Sequence, residues 1–546
     1  MNKAGKLFIV LALVVVLGLP FLLQKSEKVT RFADDTVVII TPHTESIRYE
    51  FARAFEKWYQ QKTGRSIYVD YRVIGGTSEI GKFLNSEFTN SFRNHWENDL
   101  QQEWTQAVQA AFANPYTMPD STPGDDTPAE AARRAFLASG ASSGIDLFFG
   151  GGAYDFRKQA NIGNLVDAGL LRSRPDWFQE TVIPGAIPKA IPESISGESF
   201  YDGEGRWYGT VLSSYGIIYN RDALARLEIP NEPRQWVDLT DPRYFGQIAV
   251  SDPTKSGSMA QAFEMIIQQQ MHLLEGQGNR DEHEVVREGW IRGMQVVQKI
   301  AANARYFTDT SQKPNIDVAT GDCAAGMSID FYGRFQQENI LDRSGDTRFG
   351  FHVPVGGTTV SADPIGLLRG ARNKEQAILF IEFVLSLEGQ KLWNFKVGEP
   401  GGPELFSLRR PPIRPELYGP EWNQKRSDAS FNPYVAARDF TYRGDWTGRL
   451  FSEIRTIIRI CFIDVRKELV EAWAAIIKAK NAGRLADAEE AERIMQDMTP
   501  ISYEEAETTI DAVLKAPRIE EVRLARELSE HFREQYKRAR RIAEGR

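Results

Sequence analysis

Short apolar runs alternate with amphipathic stretches over most of the chain, a pattern typical of an α/β protein. Residues 36–41 form a β-branched apolar run, and apolar side chains then recur at helical spacing from Ile47 to Trp58. Strand character returns in residues 67–73. Residues 35–73 are therefore predicted to form a strand, a helix and a second strand parallel to the first.

The same unit recurs further along the chain. Residues 145–149 and 248–251 are short apolar strands, and each is followed by a loop rich in glycine or serine. Parallel strands joined by helices form an open sheet, and such sheets bind ligands outside the carboxyl ends of their strands. The predicted loops at those ends contain His43, Gly76, Gly151 and Ser256.

The sequence Ser256-Gly257-Ser258 precedes an amphipathic helix that has no phosphate-loop lysine behind it. A helix N-terminus has unpaired N–H groups and a partial positive charge, so Gly257 can let an anion approach while Ser256 and Ser258 donate hydroxyl groups. Alternatively, Ser256 only caps the helix. Both interpretations stay open at this point.

Composition and charge restrict the classes of function. The 546 residues are 42% hydrophobic, which is enough for large buried cores, and the net charge of -8 gives no general attraction to nucleic acid. No P-loop, nucleophile-elbow or His-Glu-x-x-His motif occurs, and the six histidines do not cluster at zinc spacing. We therefore predict no catalytic residue, no metal site, no cofactor and no nucleic-acid partner.

The N-terminus is typical of an exported protein. Lys3 and Lys6 precede an uninterrupted apolar run over residues 7–23. Neither a small-residue cleavage site nor a cysteine follows this run. Residues 1–34 are therefore predicted to be either a signal peptide or a membrane anchor, and the predicted location is the periplasm, with or without anchoring to the inner membrane.

Five separate segments follow one another in a characteristic order. They are residues 38–43, 145–149, 207–220, 251–258, and 362–366 followed by a helix over 374–385. Together they resemble one family, the two-lobed (type II) periplasmic substrate-binding proteins of ABC importers, in which they have the same order. The nearest branch binds ferric ion, phosphonates and sugar phosphates. The resemblance covers roughly residues 35–444 apart from an insertion.

The resemblance implies two α/β lobes with parallel sheets, joined by crossing strands and closing on a ligand by hinge motion. A helical extension follows, which we expect to pack on lobe one; docking on the permease is the alternative. The predicted division is lobe one in 35–211 with a surface insertion at 90–143, lobe two in 212–348, the return of lobe one in 349–446, and the extension in 447–546.

The resemblance also implies a ligand site between the lobes. Its predicted residues come from strand-end loops of both lobes and from the hinge. They are His43, Thr44, Gly76, Thr77, Gly151 and Gly152 on one wall, Ser256, Gly257, Ser258, Asp330 and Tyr332 on the other, and Ser213, Ser214 and Asp363 near the hinge.

The implied function is binding without catalysis, in which a monomer delivers a small solute to an ABC permease in the inner membrane. The preferred solute is an organic anion with a phosphate or phosphonate group, which serine hydroxyls and a helix N-terminus can bind. Ferric ion is the first alternative, with His43, Glu79 and Tyr332 as ligands. However, Phe331 stands where this family has a first tyrosine, and a phenyl ring cannot bind a metal.

Two further alternatives stay open. A polyamine would need acidic and aromatic side chains, which Asp330, Tyr332, Asp363 and Tyr215 supply. An exported enzyme on the same scaffold would use His43 as general base, with Glu79 or Asp330 as the acid. Equally, Asp330 can be a helix cap and Tyr332 a packed aromatic residue.

Overall fold

The computed structural model describes residues 33–119, 126–179, 181, 186–278, 280–345 and 347–546. Nearly all of the predicted signal peptide or anchor therefore lies outside the described residues. Within the described ranges, no helix combines the length and the apolar character that a bilayer span requires.

The strands are short and are spread along the first two thirds of the chain. They are β1 (Asp35–Ile40), β2 (Ile67–Arg72), β3 (Leu147–Phe149), β4 (Leu165–Val166), β5 (Phe178–Gln179), β6 (Ile191–Pro192), β7 (Ser194–Ile195), β8 (Glu198–Ser199), β9 (Tyr208–Ser213), β10 (Tyr215–Asn220), β11 (Ile248–Ser251), β12 (Ala304–Thr308), β13 (Ala325–Ile329), β14 (Phe349–His352) and β15 (Ser361–Leu368).

The α-helices connect these strands and then continue alone to the C-terminus. They span Glu45–Thr63, Thr77–Asn94, Gln106–Ala111, Pro128–Ala138, Ala153–Ile162, Leu170–Ser173, Arg221–Arg226, Gly257–Glu275, Glu282–Asn303, Lys313–Thr320, Asp330–Ser344, Lys374–Leu385, Leu387–Asn394, Pro433–Ala436, Phe451–Ile458, Arg466–Asn481, Leu485–Met495, Tyr503–Glu505, Asp511–Lys515 and Arg518–Ala543.

The sheet of lobe one has the order β2-β1-β3-β15-β4, and β9 pairs with β15. β1 is parallel to β2 and β3, with Ile39 opposite Leu147, so the predicted strand-helix-strand unit is confirmed. β15 is antiparallel to β3, β4 and β9. The sheet is therefore mixed rather than parallel, because β15 enters from the other lobe and runs against the strands that begin in lobe one.

The sheet of lobe two has the order β12-β11-β13-β10-β14. β11, predicted from its apolar run, is parallel to β12 and β13, whereas β10 is antiparallel to β13 and β14. Since β14 pairs with β10, the predicted boundary at residue 349 falls inside the sheet of lobe two.

Two crossings join the lobes. β9 ends in the first sheet at Ser213 and β10 begins in the second at Tyr215, so the outgoing crossing is at Ser214. The return lies between His352 at the end of β14 and Ser361 at the start of β15. The outgoing crossing thus lies next to the predicted boundary at residue 212, whereas the return lies beyond the predicted boundary at residue 349.

The predicted insertion contributes a buried aromatic cluster instead of covering the surface. The helix Thr77–Asn94 runs through the predicted insertion start at residue 90. Phe92, Trp96, Phe112 and Phe136 are each no more than 5% exposed, and their rings pack together and on lobe one. The aromatic residues at 92 and 96 continue the apolar stripe of that helix.

The C-terminal extension packs on lobe two, so the expectation that it packs on lobe one is wrong. Trp473, Phe532 and Tyr536 of the extension belong to the same core as Trp290 of the helix Glu282–Asn303. The Trp290 indole donates a hydrogen bond to the Ile501 carbonyl at 2.8 Å. The apolar outer face of that helix is thereby covered.

Candidate functional site

A cavity of about 540 Å³ lies between the lobes, at the carboxyl ends of strands from both sheets. This volume is within the usual range for small-molecule sites, roughly 300–1,000 Å³. The predicted residues that line the cavity are His43, Thr44, Gly76, Thr77, Gly151, Ser213, Ser256, Gly257, Ser258, Tyr332 and Asp363.

Three predicted residues, Gly152, Ser214 and Asp330, do not line this cavity. Gly152 precedes the helix Ala153–Ile162, and Ser214 is buried in the crossing. The Asp330 carboxylate is fully buried, where it accepts hydrogen bonds from the Phe331 N–H at 2.9 Å and from the Arg334 guanidinium at 3.2 Å. Asp330 thus has the helix-terminal role that was the alternative to ligand contact.

A larger cavity, about 770 Å³, lies beside the helix Gly257–Glu275 near residues 438–443. None of the predicted residues lines it. The cavity between the lobes is therefore the candidate site.

The wall from lobe two is the N-terminus of the helix Gly257–Glu275. The Ser256 hydroxyl accepts a hydrogen bond from the Met259 N–H at 3.2 Å and lies 2.8 Å from the Ser311 hydroxyl, so Ser256 does cap the helix. Ser258 and the exposed Lys255 also line the cavity. Capping by Ser256 does not exclude an anion site at this turn, because the cap occupies one N–H group and leaves others of the first turn without partners.

A second helix N-terminus faces the first one from lobe one. A Cβ atom on Gly257 would lie 3.0 Å from the Thr77 hydroxyl oxygen, and one on Gly76 would lie 2.9 Å from the Lys255 carbonyl oxygen. The two helix N-termini thus approach each other closely, and the lobes touch beside the cavity. Both helix ends carry partial positive charge, which favours an anionic ligand.

Arg410 is a cavity residue that the sequence pattern did not reveal. Its side chain is 1% exposed and forms an ion pair with Asp363, which also accepts a hydrogen bond from the Ser213 hydroxyl at 3.2 Å. The guanidinium lies 4.2 Å from the centre of the Phe331 ring, and its buried Nε has no described partner. Arg410 therefore brings a guanidinium, paired with Asp363, to the lobe-one side of the cavity.

The loop after β12 also lines the cavity, with Asp309, Thr310, Ser311 and Gln312. β12, a five-residue strand between two helices, was not predicted from the sequence. Prediction of β12 would have been needed first; the rule that parallel strands present their carboxyl ends to the ligand then indicates this loop, since β12 is parallel to β11.

His43 lines the cavity and also packs against neighbouring residues of lobe one. Its ring contacts Phe149 edge-on with centroids 4.6 Å apart, and a Cβ atom on Gly150 would lie 2.4 Å from its Nε2. Burial, together with the charges of Arg410 and Arg48, holds the pKa of His43 well below its usual value. The imidazole is therefore neutral at pH 7.

Tyr332 lines the cavity beside Phe331, with ring centroids 4.2 Å apart. Burial raises the pKa of Tyr332 to about 12. Among the described residues, no three His, Cys, Asp or Glu side chains are grouped so that they could hold a metal ion.

The comparison with protein families agrees with the resemblance seen in the sequence. Residues 140–400 match the family model of bacterial extracellular solute-binding proteins. The resemblance to this class is confirmed over these residues, and the matched family is one of binding proteins rather than enzymes.

Individual relatives are distant and match only part of the chain. An uncharacterized protein of Haemophilus influenzae is 27% identical over 247 residues, which are 45% of this chain and 60% of that protein. The phosphoglycerate transport regulatory protein PgtC of Salmonella typhimurium is 26% identical over 209 residues, 38% of this chain and 44% of that protein. The chain thus spans about half the length of these relatives.

Among solved structures, the periplasmic binding protein AfuA of Actinobacillus pleuropneumoniae, with fructose-6-phosphate bound, is similar at 16% identity and a TM-score of 0.46. The similarity covers 77% of this chain and 98% of AfuA. The two-lobed architecture itself rests on the strand pairing described above.

Proposed function

We propose that this chain is an extracytoplasmic solute-binding protein that delivers an organic anion with a phosphate or phosphonate group to an ABC permease in the inner membrane. It would act as an exported monomer without catalysis. The observation that supports this proposal is that two helix N-termini, at Gly76 and Gly257, meet beside one cavity that Lys255 also lines. Arg410 adds a guanidinium that is paired with Asp363 and whose Nε has no described partner. A planar guanidinium can bind two phosphate oxygens at once.

The acidic residues of the cavity favour an organic solute over free phosphate. Glu79, Asp309 and Asp363 also line it. Carboxylates repel an inorganic anion but accept hydrogen bonds from hydroxyl or amino groups. A solute with one anionic end and a polar remainder would satisfy both sets of side chains.

The alternatives have less support from the same residues. A polyamine would need several uncompensated carboxylates, but Asp363 is paired with Arg410, and Asp330 is paired with Arg334 away from the cavity. Glu79 and Asp309 share the cavity with Lys255 and two helix N-termini, which repel a polycation. For ferric ion, Phe331 replaces a tyrosine and carries the Arg410 guanidinium on its ring, which repels a cation. PgtC is named for phosphoglycerate transport, in line with a phosphate-bearing solute.

An exported enzyme would need His43 as an accessible base. The Nε2 atom of His43 is buried against Gly150, which leaves no approach for a substrate proton on that side. We therefore propose binding without turnover.

Thermal denaturation with a panel of solutes tests the proposal. The panel contains 3-phosphoglycerate, glucose 6-phosphate, 2-aminoethylphosphonate, spermidine and ferric citrate. A ligand at a hundredfold excess over its Kd stabilises the folded state by about 2.7 kcal/mol. We expect such a shift with at least one phosphate or phosphonate compound. A shift with spermidine or ferric citrate alone would contradict the proposed solute class, and no shift with any compound would contradict solute binding.

Arg410→Gln and Arg409→Gln form a matched pair for this test. The neighbouring Arg409 pairs with Asp428 at 2.8 Å and does not line the cavity. Each variant is compared with its own melting temperature without solute, so a general loss of stability cancels. We expect the solute-induced shift to disappear in Arg410→Gln and to persist in Arg409→Gln.

A further inference from the structure

One arginine of the C-terminal extension is bonded to both lobes. Arg455 Nη2 donates to the Ser78 hydroxyl of lobe one at 2.7 Å. The same side chain donates to two carbonyl oxygens of lobe two, those of Pro253 and Thr254, each at 3.0 Å. These bonds lie next to the point where the two helix N-termini meet.

A second contact joins the extension to lobe one. The Tyr154 ring packs on the Phe451 ring with centroids 4.4 Å apart, and the Tyr154 hydroxyl lies 2.9 Å from the Ser452 hydroxyl. Asp155, next to Tyr154, adds an electrostatic attraction: burial raises the pKa of its carboxyl, and the Arg455 charge opposes that rise.

The helix that carries Arg455 is fixed in lobe two. Ile454, Ile457 and Ile458 are fully buried in the same core as Met259 of the helix Gly257–Glu275. The helix Phe451–Ile458 therefore belongs to lobe two by its packing, and only its N-terminal half reaches lobe one.

We propose that residues 451–455 form a clasp that holds the two lobes in the closed arrangement. Separation of the lobes would move Ser78 and Tyr154 away from the clasp, so opening must break a charge-assisted hydrogen bond and an aromatic contact. The inference rests on the proposed function at one point only, namely that closing the cleft would enclose a solute. The clasp itself concerns the distance between the lobes, which can be measured without any solute.

Distances between two spin labels test the clasp. Both native cysteines are buried, so labels attach selectively to Gln61→Cys on lobe one and Ile316→Cys on lobe two, both exposed positions. Pulsed electron resonance is recorded for this background and for Arg455→Ala. The control is Arg449→Ala, because Arg449 is bonded to Tyr503 and Glu507 of the extension itself.

We expect Arg455→Ala to shift the label distance to longer values and to broaden its distribution, with Arg449→Ala unchanged. An unchanged distance in Arg455→Ala overturns the inference, as does an equal shift in both variants. A second variant, Ser78→Ala with Tyr154→Phe, removes the two lobe-one hydroxyl groups that bond to the clasp and leaves the extension and the aromatic contact intact. If the clasp exists, this double variant must also lengthen the label distance. It therefore tests the clasp even if Arg455→Ala fails to fold, and an unchanged distance in the double variant overturns the inference.

Discussion

Two buried carboxyl groups make the stability of the protein depend on pH. Glu198 of lobe one and Glu264 of the helix Gly257–Glu275 are each 1% exposed. The Gln261 amide donates to Glu198 at 2.8 Å, and the Thr447 and Tyr442 hydroxyls donate to Glu264 at 2.6 and 3.0 Å. Burial raises the pKa of each carboxyl from 4.5 to about 7.

The sign and size of the effect follow from these pKa values. A folded state that binds a proton more tightly than the unfolded chain loses stability as pH rises through the interval between the two pKa values. The loss therefore runs from pH 4.5 to about pH 7 and is complete above it. At about 1.4 kcal/mol for each pKa unit, the loss is about 3 kcal/mol for Glu198, an upper value because the two carboxyls interact.

Glu198→Gln removes this loss and keeps an oxygen that can accept the Gln261 bond. We expect the variant to be more stable than the parent by about 2 kcal/mol at pH 8 and by less than about 1 kcal/mol at pH 5. Urea denaturation at both pH values measures the difference. Glu204→Gln is the control, since the Glu204 side chain is 74% exposed. An equal gain at both pH values, or a loss at pH 8, would mean that the buried Glu198 carboxylate does not destabilise the folded state at high pH.

The remaining predictions concern the cavity wall and the extension. Ser256→Ala alone should lower the free energy of unfolding by about 1 kcal/mol, because the helix cap is lost. Ser256→Ala together with Ser258→Ala should weaken the binding of a phosphate compound from the panel, as measured by calorimetric titration. Unchanged affinity in the double variant would exclude the turn from the site. Gly151→Ala should lower the stability by at least about 2 kcal/mol in thermal denaturation, because residue 151 has a φ of +123° and its Cβ would lie 2.1 Å from the Thr77 methyl carbon. Gly152→Ala is the control and should be nearly neutral, since no atom lies within 4 Å of its Cβ position. Phe532→Ala should cost about 3–5 kcal/mol because the ring is fully buried, and a cost below about 1 kcal/mol would contradict the packing of the extension on lobe two.

The sequence predicted those parts of the fold that depend on local pattern. β11 covers the same residues as its apolar run, and the helix Lys374–Leu385 has the predicted bounds. The loops after β1, β2, β3 and β11 meet at the cavity because their strands run parallel within each sheet. Those patterns indicate the strand-end loops of the candidate wall, whereas the two-lobed architecture and the hinge residues were implied by the family resemblance.

The parts that were not predicted depend on tertiary contacts. Arg410 lies in a segment without helical or strand periodicity. Hydrogen bonds hold this segment against β9, for example the bond from the Leu212 N–H to the Pro411 carbonyl at 2.8 Å. The position of the extension also depends on tertiary contacts. The apolar stripe around Phe532 and Tyr536 indicates that this helix face is buried, but it does not indicate which lobe covers it.

Native mass spectrometry of protein purified from the periplasm, without added solute, shows which compound the cavity binds. We expect a bound compound that releases a phosphate or phosphonate ion on fragmentation. This compound should be absent from Arg410→Gln and retained by Arg409→Gln. Bound iron or a bound polyamine would contradict the proposed solute class, and equal occupancy by the same compound in both variants would exclude Arg410 from the site.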